Sequence, residues 1–404
     1  MVPMKLKLYR LPFFLFSSVI LAVLCAVVFG PLPSMEYIFN QVGGIFFDLL
    51  KMLVVPFAFI SVTSAVIKMG VKRIRKLSYR FILLTLCMCL IGFALGFAMM
   101  SCFSIPPFEV QDVSVKPVEA PTVLQFIRNC IPVNPFNSLV TGNMLQVLVL
   151  SFVVGFGVLQ LKDYEKVSYG FVEAQEICVH IVNFVMYLAP VGVFCLLYPV
   201  ISRSFSTVVT AYFQMIFVII TGSFLYMVFV CIPLLFLFRI NRPLKFFRTI
   251  LIHDFIGAVA AGATNYMGPR IENLKKNSDL NPDIIDFFIP LTAVLIRIGS
   301  TICVGMYTVF VASIFHVELS GYQIVLAAFL TVICLMCAPG IIGGTLMDCA
   351  ILWTAIGIPV EAVAFIAAID YVIDLLRTVL NVQGGEIITA CMNHYFHSLD
   401  FQER

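Results

Sequence analysis

Apolar residues occur along this chain in long runs separated by short polar segments. Eight runs are long enough to cross about 30 Å of hydrocarbon, and they fall near 11–30, 37–68, 81–103, 141–161, 171–200, 208–238, 284–314 and 360–382. Runs of this length predict transmembrane helices. Pro56 inside the second run is compatible with this prediction, because neighbouring helices re-satisfy the backbone around a membrane proline. The pattern predicts an all-α polytopic membrane protein.

Two further regions do not fit a simple span. Residues 249–283 are too polar to cross a bilayer and too apolar for a plain loop, and residues 321–359 are apolar but broken by "CAPGIIGG". Each predicts a helix, a tip rich in Gly, Ala or Pro, and a second helix. Non-helical backbone survives at membrane depth only when it is buried in protein or lines a wet cavity. The two regions therefore indicate re-entrant hairpins around a binding site, with ordinary amphipathic surface helices as the alternative.

Composition supports the membrane assignment and excludes several classes of function. Of the 404 residues, 61% are hydrophobic and 12% are charged, and the mean hydropathy is +1.05; a soluble domain cannot bury so much apolar surface. The net charge of +3 and the lack of a basic tract argue against nucleic-acid binding. Most of the 13 cysteines lie inside apolar runs, which indicates buried thiols and not a disulfide framework. No cofactor is predicted.

The charged linkers predict an orientation. "KRIRKLSYR" at 72–80 and "RINRPLKFFR" at 239–248 are short and basic, so both are expected in the cytoplasm. The mildly acidic stretch 108–121 is expected outside. These assignments alternate correctly with both termini in the cytoplasm, and the first run is long enough for a membrane helix and not a cleaved signal. Short loops are typical of a bacterial inner (plasma) membrane protein.

The last apolar run contains a polar stripe. Asp370, Asp374, Arg377 and Asn381 are spaced so that they fall within roughly 60° of arc on an α-helix, with Thr378 beside them. A charge at the bilayer centre costs at least ~2.5–3.5 kcal/mol, so the stripe faces protein or a cavity. One interpretation is a structural ion pair that neutralises Arg377. The other is a zwitterion site, in which a carboxylate binds an ammonium and a guanidinium binds a carboxylate.

The chain resembles the dicarboxylate/amino acid:cation symporter family, the glutamate transporter homologues, over nearly its whole length. The motifs that support the resemblance are "KMLVVPFAF", "IPVNPF", "YLAPVGVF", "IPLTA" and "DYVIDLLRTVLNV". The last is the most specific, since it keeps the family's acid–acid–arginine–threonine–asparagine spacing.

This resemblance implies a homotrimer with eight transmembrane helices and two re-entrant hairpins per protomer. A static scaffold and a mobile transport domain would move substrate by an elevator motion. Scaffold helices one, two, four and five would occupy 1–77 and 105–202, and helix three of the transport domain 78–104. The rest of the transport domain would be 203–404, with hairpins at about 243–276 and 321–357 and helices seven and eight at about 284–314 and 360–394.

The resemblance also implies roles for single residues. Asp374 would bind the α-ammonium of the substrate, Arg377 its side-chain carboxylate with support from Thr378, and Asn381 its main-chain carboxylate. Retaining both charged groups favours aspartate or glutamate over a dicarboxylate or a neutral amino acid. The hairpin tips "GATNYMGP" and "PGIIGG" depart from the family pattern but still offer ligand groups, namely Thr264, Asn265, Gly340 and Gly343.

The sodium motifs of the family are degenerate in this chain. Where the family has an unwound Asn-Met-Asp-Gly-Thr stretch that binds sodium, this chain has "IRIGS" at 296–300. Ile296 and Ile298 offer no oxygen ligand, although sodium is a hard cation that prefers oxygen. Gly385 replaces a later sodium-binding aspartate, and Leu86 replaces a serine. Thr85 and Gly299 are metal-ligand candidates only if a residual sodium site, built mainly from backbone carbonyls, persists.

Arg297 replaces the methionine of that stretch, and a guanidinium stays charged in a protein. One hypothesis is that Arg297 is a tethered cation near Asp370, Asp374 or the substrate, which would suit exchange or uniport. The alternative, compatible with the first, is a structural pair between Arg297 and Asp370. Proton coupling is a further route, and the candidate carriers near the hairpins or the last helix are Glu272, Asp254, His253 and Glu386.

The sequence thus predicts a secondary transporter of aspartate or glutamate with weakened or absent sodium coupling, by exchange or by proton coupling. A conventional sodium-coupled glutamate/aspartate or dicarboxylate symporter is the first alternative. An anion-conducting, channel-like protein and a non-transporting paralogue are the others, and the complete zwitterion site argues against the latter. The chain contains neither HExxH nor GxSxG, so an enzyme is not predicted.

Overall fold

The computed structural model describes residues 10–69, 79–105, 128, 131–261, 267–337 and 344–400. Within these ranges the regular structure is helical, without strands, in agreement with the predicted class. The α-helices are α1 (Arg10–Phe29), α2 (Pro33–Met69), α3 (Tyr79–Ser101), α4 (Pro135–Thr141), α5 (Met144–Leu159), α6 (Tyr164–Tyr226), α7 (Ile232–Leu237), α8 (Pro243–Ala261), α9 (Met267–Asn277), α10 (Pro282–Leu295), α11 (Ile298–Ile314), α12 (Gly321–Cys337), α13 (Gly344–Ile356) and α14 (Val363–Asp400).

The predicted spans correspond only partly to these helices. By length and composition, three stretches of the described chain could cross a membrane: Tyr79–Ser101, Phe205–Leu237 and Pro282–Ile314. The pair Tyr164–Val182 and Tyr187–Pro199, bent by 47°, would make a fourth. The runs predicted separately at 171–200 and 208–238 share the continuous helix α6, which contains Pro190 and Pro199. Proline bends a helix without always ending it, so the sequence could not place that boundary.

Both predicted hairpin regions contain a pair of neighbouring helices. Helices α8 and α9 pack against each other in the first region, and α12 and α13 do so in the second. The tip residues at 262–266 and 338–343 lie outside the described residues, and so do the ligand candidates Thr264, Asn265, Gly340 and Gly343. The acidic linker at 108–121 is also outside them.

Helix α6 shows the exposed apolar face expected beside lipid. Phe213, Phe217, Ile220 and Phe224 are all exposed and follow the spacing of one helical face. On the other side of α6, Met215 is buried against the protein core. A contiguous apolar surface of this kind on a folded protein marks contact with a membrane or a partner.

The last helix lies at the centre of the C-terminal half. Helix α14 packs against α6, α8, α10 and α11. Tyr212 of α6 donates a hydrogen bond of 2.8 Å to the carbonyl of Phe365 in α14. Tyr226 donates one of 2.8 Å to the carbonyl of Met88 in α3. The long helix α6 is therefore anchored to both α3 and α14.

Helices α3 and α11 approach so closely that backbone touches backbone. A Cβ atom added at Gly96 would meet the carbonyl oxygen of Ile302, and one at Gly305 would meet the carbonyl oxygen of Phe93. Only glycine allows this separation. The contact fixes the start of α11, where the altered stretch "IRIGS" lies.

We expect Gly96→Ala to destabilise the protein, because the new methyl group must displace the backbone of α11. Overpacking of this kind costs about 1–3 kcal/mol. The measurement is the apparent melting temperature in a fixed detergent. Gly157→Ala is the matched control, since a Cβ at Gly157 meets nothing within 4 Å; equal melting temperatures for the two variants would contradict the close α3–α11 contact.

Candidate functional site

The site is organised around a break between two helices. Helix α10 ends at Leu295, Ile296 is extended (φ −111°, ψ 117°), and α11 begins at Ile298. Arg297 occupies the cap position of α11 with φ −137° and ψ 54°. The break falls within the predicted seventh span and on the stretch "IRIGS". Ile296 and Ile298 are both buried, so apolar side chains occupy the positions where the family pattern has sodium ligands.

Arg297 pairs with helix α13. Its Nη1 lies 3.3 Å from Oδ2 of Asp348, and its Nη2 donates a hydrogen bond of 3.2 Å to Oγ1 of Thr345. All three side chains are buried. The sequence-based pairing of Arg297 with Asp370 is therefore corrected, because Asp370 is occupied by another arginine.

Asp348 is a site residue that sequence reasoning missed. It is an isolated acid in the apolar stretch "GTLMDCAILW", and a lone acid in such a run is the signal that would have found it. Its partner could not be read from sequence, since Arg297 and Asp348 lie on different helices. The pair joins the α10–α11 break to the second helix of the second hairpin region.

Arg377 is held by two acids of its own helix. Its Nη1 lies 2.5 Å from Oδ1 of Asp370, and its Nη2 lies 2.7 Å from Oδ1 of Asp374. Its Nε also donates to Oδ1 of Asp374, at 2.8 Å. Tyr307 of α11 donates a hydrogen bond of 3.0 Å to Oδ1 of Asp370. The predicted polar stripe is thus a connected network on one face of α14.

The amide of Asn381 joins α14 to the start of α11. Its Oδ1 accepts a hydrogen bond of 3.2 Å from the backbone N–H of Ser300, and its Nδ2 donates one of 3.3 Å to Oγ of Ser300. A Cβ at Gly299 would collide with the carbonyl oxygen of Arg377. Thr378, the next residue of α14, is half-buried. The structure therefore brings the substrate-site candidates of α14 beside the helix break.

Acids outnumber bases among these buried groups. The bases are Arg297 and Arg377, and the acids are Asp348, Asp370 and Asp374. The side chain of Asp374 is 28% exposed, whereas the other four are at most 9% exposed. Asp374 is therefore the charged group of this network that an incoming ligand meets first.

Two further observations concern Thr85, a residual sodium candidate, and Gly385, where the family pattern has a sodium-binding aspartate. Oγ1 of Thr85 is buried and has no hydrogen-bond partner among the described residues. Thr85 lies one turn before Cys89, whose thiol contacts the backbone of Arg297, so this hydroxyl is near the helix break. At Gly385, Nη2 of Arg270 lies 3.4 Å from the position of an added Cβ. A fixed cation thus lies beside the position where the family pattern has a sodium-binding acid.

Comparison with known proteins identifies the family. The model of the sodium:dicarboxylate symporter family matches residues 15–395. The chain belongs to this family. The resemblance inferred from the sequence motifs is therefore confirmed, and membership assigns the protein to membrane-embedded secondary transporters and not to enzymes.

Three similar proteins differ in the activity that their names state. The chain is 25% identical over 397 residues to a proton/sodium-glutamate symport protein of Bacillus caldotenax, with 94% of this chain and 93% of the relative covered. It is 22% identical over 379 residues to a proton/glutamate-aspartate symporter of Escherichia coli, with 89% and 86% covered. It is 24% identical over 255 residues to neutral amino acid transporter A of Bos taurus, with 62% and 48% covered.

A double-mutant cycle tests the Arg297–Asp348 pair. Arg297→Met and Asp348→Asn each leave one buried charge without its partner, so each is expected to destabilise the protein by about 3–5 kcal/mol. The double variant Arg297→Met/Asp348→Asn removes both charges and should recover a large part of the loss. Melting temperatures in one detergent measure the cycle, and strictly additive losses would contradict the pairing.

Proposed function

We propose that this protein is a secondary transporter of acidic amino acids, aspartate or glutamate, in which sodium coupling is weakened. The observation that supports the proposal most directly is the network of Asp374, Arg377 and Asp370 on α14. It provides an accessible carboxylate for an ammonium group and a guanidinium for a carboxylate.

An acidic amino acid suits this network because it can replace an internal ion pair with two external ones. The substrate ammonium would take Asp374, and the substrate side-chain carboxylate would take the Nε and Nη2 edge of Arg377 that Asp374 now occupies. Asp370 would keep Nη1, supported by Tyr307. No buried charge is left alone at any stage, and a lone buried charge is the costly state.

The amide of Asn381 completes the proposed binding site. It is half-buried and lies next to Arg377 at the start of α11, where it would hold the main-chain carboxylate with Thr378 alongside. Two relatives named for glutamate or aspartate transport support this substrate class.

Weakened sodium coupling follows from what surrounds the helix break. Ile296 and Arg297 form the break, Ile298 follows it at the start of α11, and the charge of Arg297 is balanced by Asp348. Since acids exceed bases in the network, a bound acidic amino acid adds negative charge that needs compensation. With sodium ligands missing, protons are the available compensating cations, and this favours proton coupling over cation-free exchange.

The proposal includes an elevator motion within a homotrimer. The helices that form the network, α11, α13 and α14, all lie in the range assigned to the transport domain, and they pack against one another. They would move together against a scaffold formed by 1–77 and 105–202. We place the trimer in the plasma membrane with both termini in the cytoplasm, as the basic linkers suggest.

Conventional sodium symport is the second candidate function, and the buried hydroxyl of Thr85 is the observation that favours it. The decisive experiment is uptake of radiolabelled L-aspartate and L-glutamate into proteoliposomes. We expect accumulation under an inward proton gradient and none under a sodium gradient alone. Uptake that requires sodium would establish the conventional symporter, and a substrate-independent anion current without saturable uptake would establish the channel-like alternative.

The proposed substrate contacts of α14 predict a loss of substrate affinity when either charged partner is removed. Asp374→Asn and Arg377→Gln each remove one charged partner of the substrate, which costs about 2–5 kcal/mol and so at least ~30-fold in affinity. Affinity for L-aspartate and L-glutamate would be measured on purified protein by radioligand binding.

The side chain of Lys275 provides the matched control, because it forms an exposed ion pair with Asp286 on the protein surface. Lys275→Gln should bind both amino acids as the unsubstituted protein does. If Arg377→Gln binds acidic amino acids with unchanged affinity, the assigned role of Arg377 is wrong.

A further inference from the structure

A second buried ionic cluster lies away from the substrate network. It consists of Asp254 from α8, Arg270 from α9 and Glu386 from α14, with exposed fractions of 0%, 1% and 0%. Glu386 follows Arg377 by nine residues along α14, which corresponds to ~14 Å of helix. The cluster therefore belongs to the junction between the first hairpin region and the last helix, and it is distinct from the substrate site.

The contacts within the cluster connect all three helices. Nε of Arg270 lies 3.2 Å from Oε1 of Glu386, and Nη2 of Arg270 donates a hydrogen bond of 2.9 Å to the carbonyl of Val382. The side chains of Asp254 and Glu386 lie close enough to act on each other electrostatically, and Asp254 also lies in the electrostatic field of Arg270. One guanidinium therefore serves two carboxyl groups.

Such an arrangement requires a proton. Two ionised carboxylates are both acceptors and repel each other, so their approach in a buried site is stabilised when one of them is protonated and can donate to the other. Like charges in one buried site cannot both ionise, and a pair of this kind holds one proton between its members. The shared proton leaves a single negative charge, which Arg270 balances.

Among the described residues, the titratable groups that influence Asp254 electrostatically are Glu386 and Arg270. The neighbouring charges on α9 point elsewhere: Glu272 pairs with Lys276 on the surface, and Lys275 pairs with Asp286. Glu272 was one of the sequence-based proton candidates, and its exposed position does not suit a protected proton. Asp254 and Glu386, the other two that the structure describes at side-chain level, are the pair in the cluster.

We propose that Asp254 and Glu386 form a proton-binding site that is neutralised by Arg270 and links protonation to the packing of the first hairpin region on α14. The proton is held while α8, α9 and α14 are in contact. If α14 separates from α8, water reaches the carboxyls and both ionise, so proton release accompanies the separation. Raising the pH removes the proton and therefore disfavours the packed arrangement.

Infrared difference spectroscopy tests the proton itself, independently of any substrate. At about pH 7, where exposed carboxyl groups are ionised, the unsubstituted protein should show a protonated-carboxyl C=O band that shifts in D₂O. Asp254→Asn and Glu386→Gln should each remove the band, because a single carboxyl opposite Arg270 ionises. Glu272→Gln, on the same helix as Arg270, should leave it unchanged.

Two infrared results would overturn the proposal. The first is the absence of the protonated-carboxyl band from the unsubstituted protein at this pH. The second is the persistence of that band in both Asp254→Asn and Glu386→Gln. The first result needs no substitution, so it decides even if neither variant folds.

The link to transport rests on the proposed function and is tested separately. Uptake of L-glutamate driven by an inward proton gradient should fall at least tenfold in Asp254→Asn and in Glu386→Gln, and Glu272→Gln should keep it. Unchanged proton-driven uptake in both variants, with the band lost, would refute the coupling.

An unsubstituted protein that takes up no acidic amino acid but shows the band would refute the proposed function and support the proton site. The two proposals therefore fail in distinguishable ways.

Discussion

The ionic network of α14 depends on one constraint: a charge inside an apolar helical protein must have a partner. Arg377 satisfies it with two acids on its own helix, and Arg297 satisfies it with Asp348 from α13. Arg270 satisfies it with Glu386. The pair of Arg297 ties the helix break to α13, and the pair of Arg270 ties the first hairpin region to α14. The demand for charge compensation therefore also positions helices around the candidate site.

The helix break lies at the centre of the proposed binding site. A continuous helix would present its side chains to neighbouring helices only, but the non-helical backbone at Ile296 and Arg297 turns the chain and directs Arg297 towards α13. Asn381 then reaches the backbone of Ser300 at the start of α11. Around the break the charges of Arg297 and Arg377 are paired with acids, and the buried side chains of Ile296 and Ile298 offer no oxygen ligand to a metal.

Much of this arrangement could be predicted from sequence. The all-helical class follows from the apolar runs, and the stripe from Asp370 to Asn381 follows from helical spacing. Partners between helices could not be predicted, because spacing informs only about one helix. The sequence leaves Arg297 either as a tethered cation near Asp370, Asp374 or the substrate or as the partner of Asp370, and its ion-pair partner in the structure is Asp348. The continuity of α6 through Pro190 and Pro199 was missed for a related reason, since surrounding helices decide whether a proline ends a helix or bends it.

The glycine contact between α3 and α11 has a mechanical consequence. Where backbone lies directly on backbone, no layer of side chains is available to slide or repack, so the two helices behave as one rigid body. Helix α3 is far from α11 in sequence, yet any displacement of the site at the head of α11 is transmitted to it. The native thiol of Cys87 is exposed on α3 and therefore moves together with the candidate site. A spectroscopic label on this thiol would report the motion of the site without a substitution at any proposed substrate-binding residue.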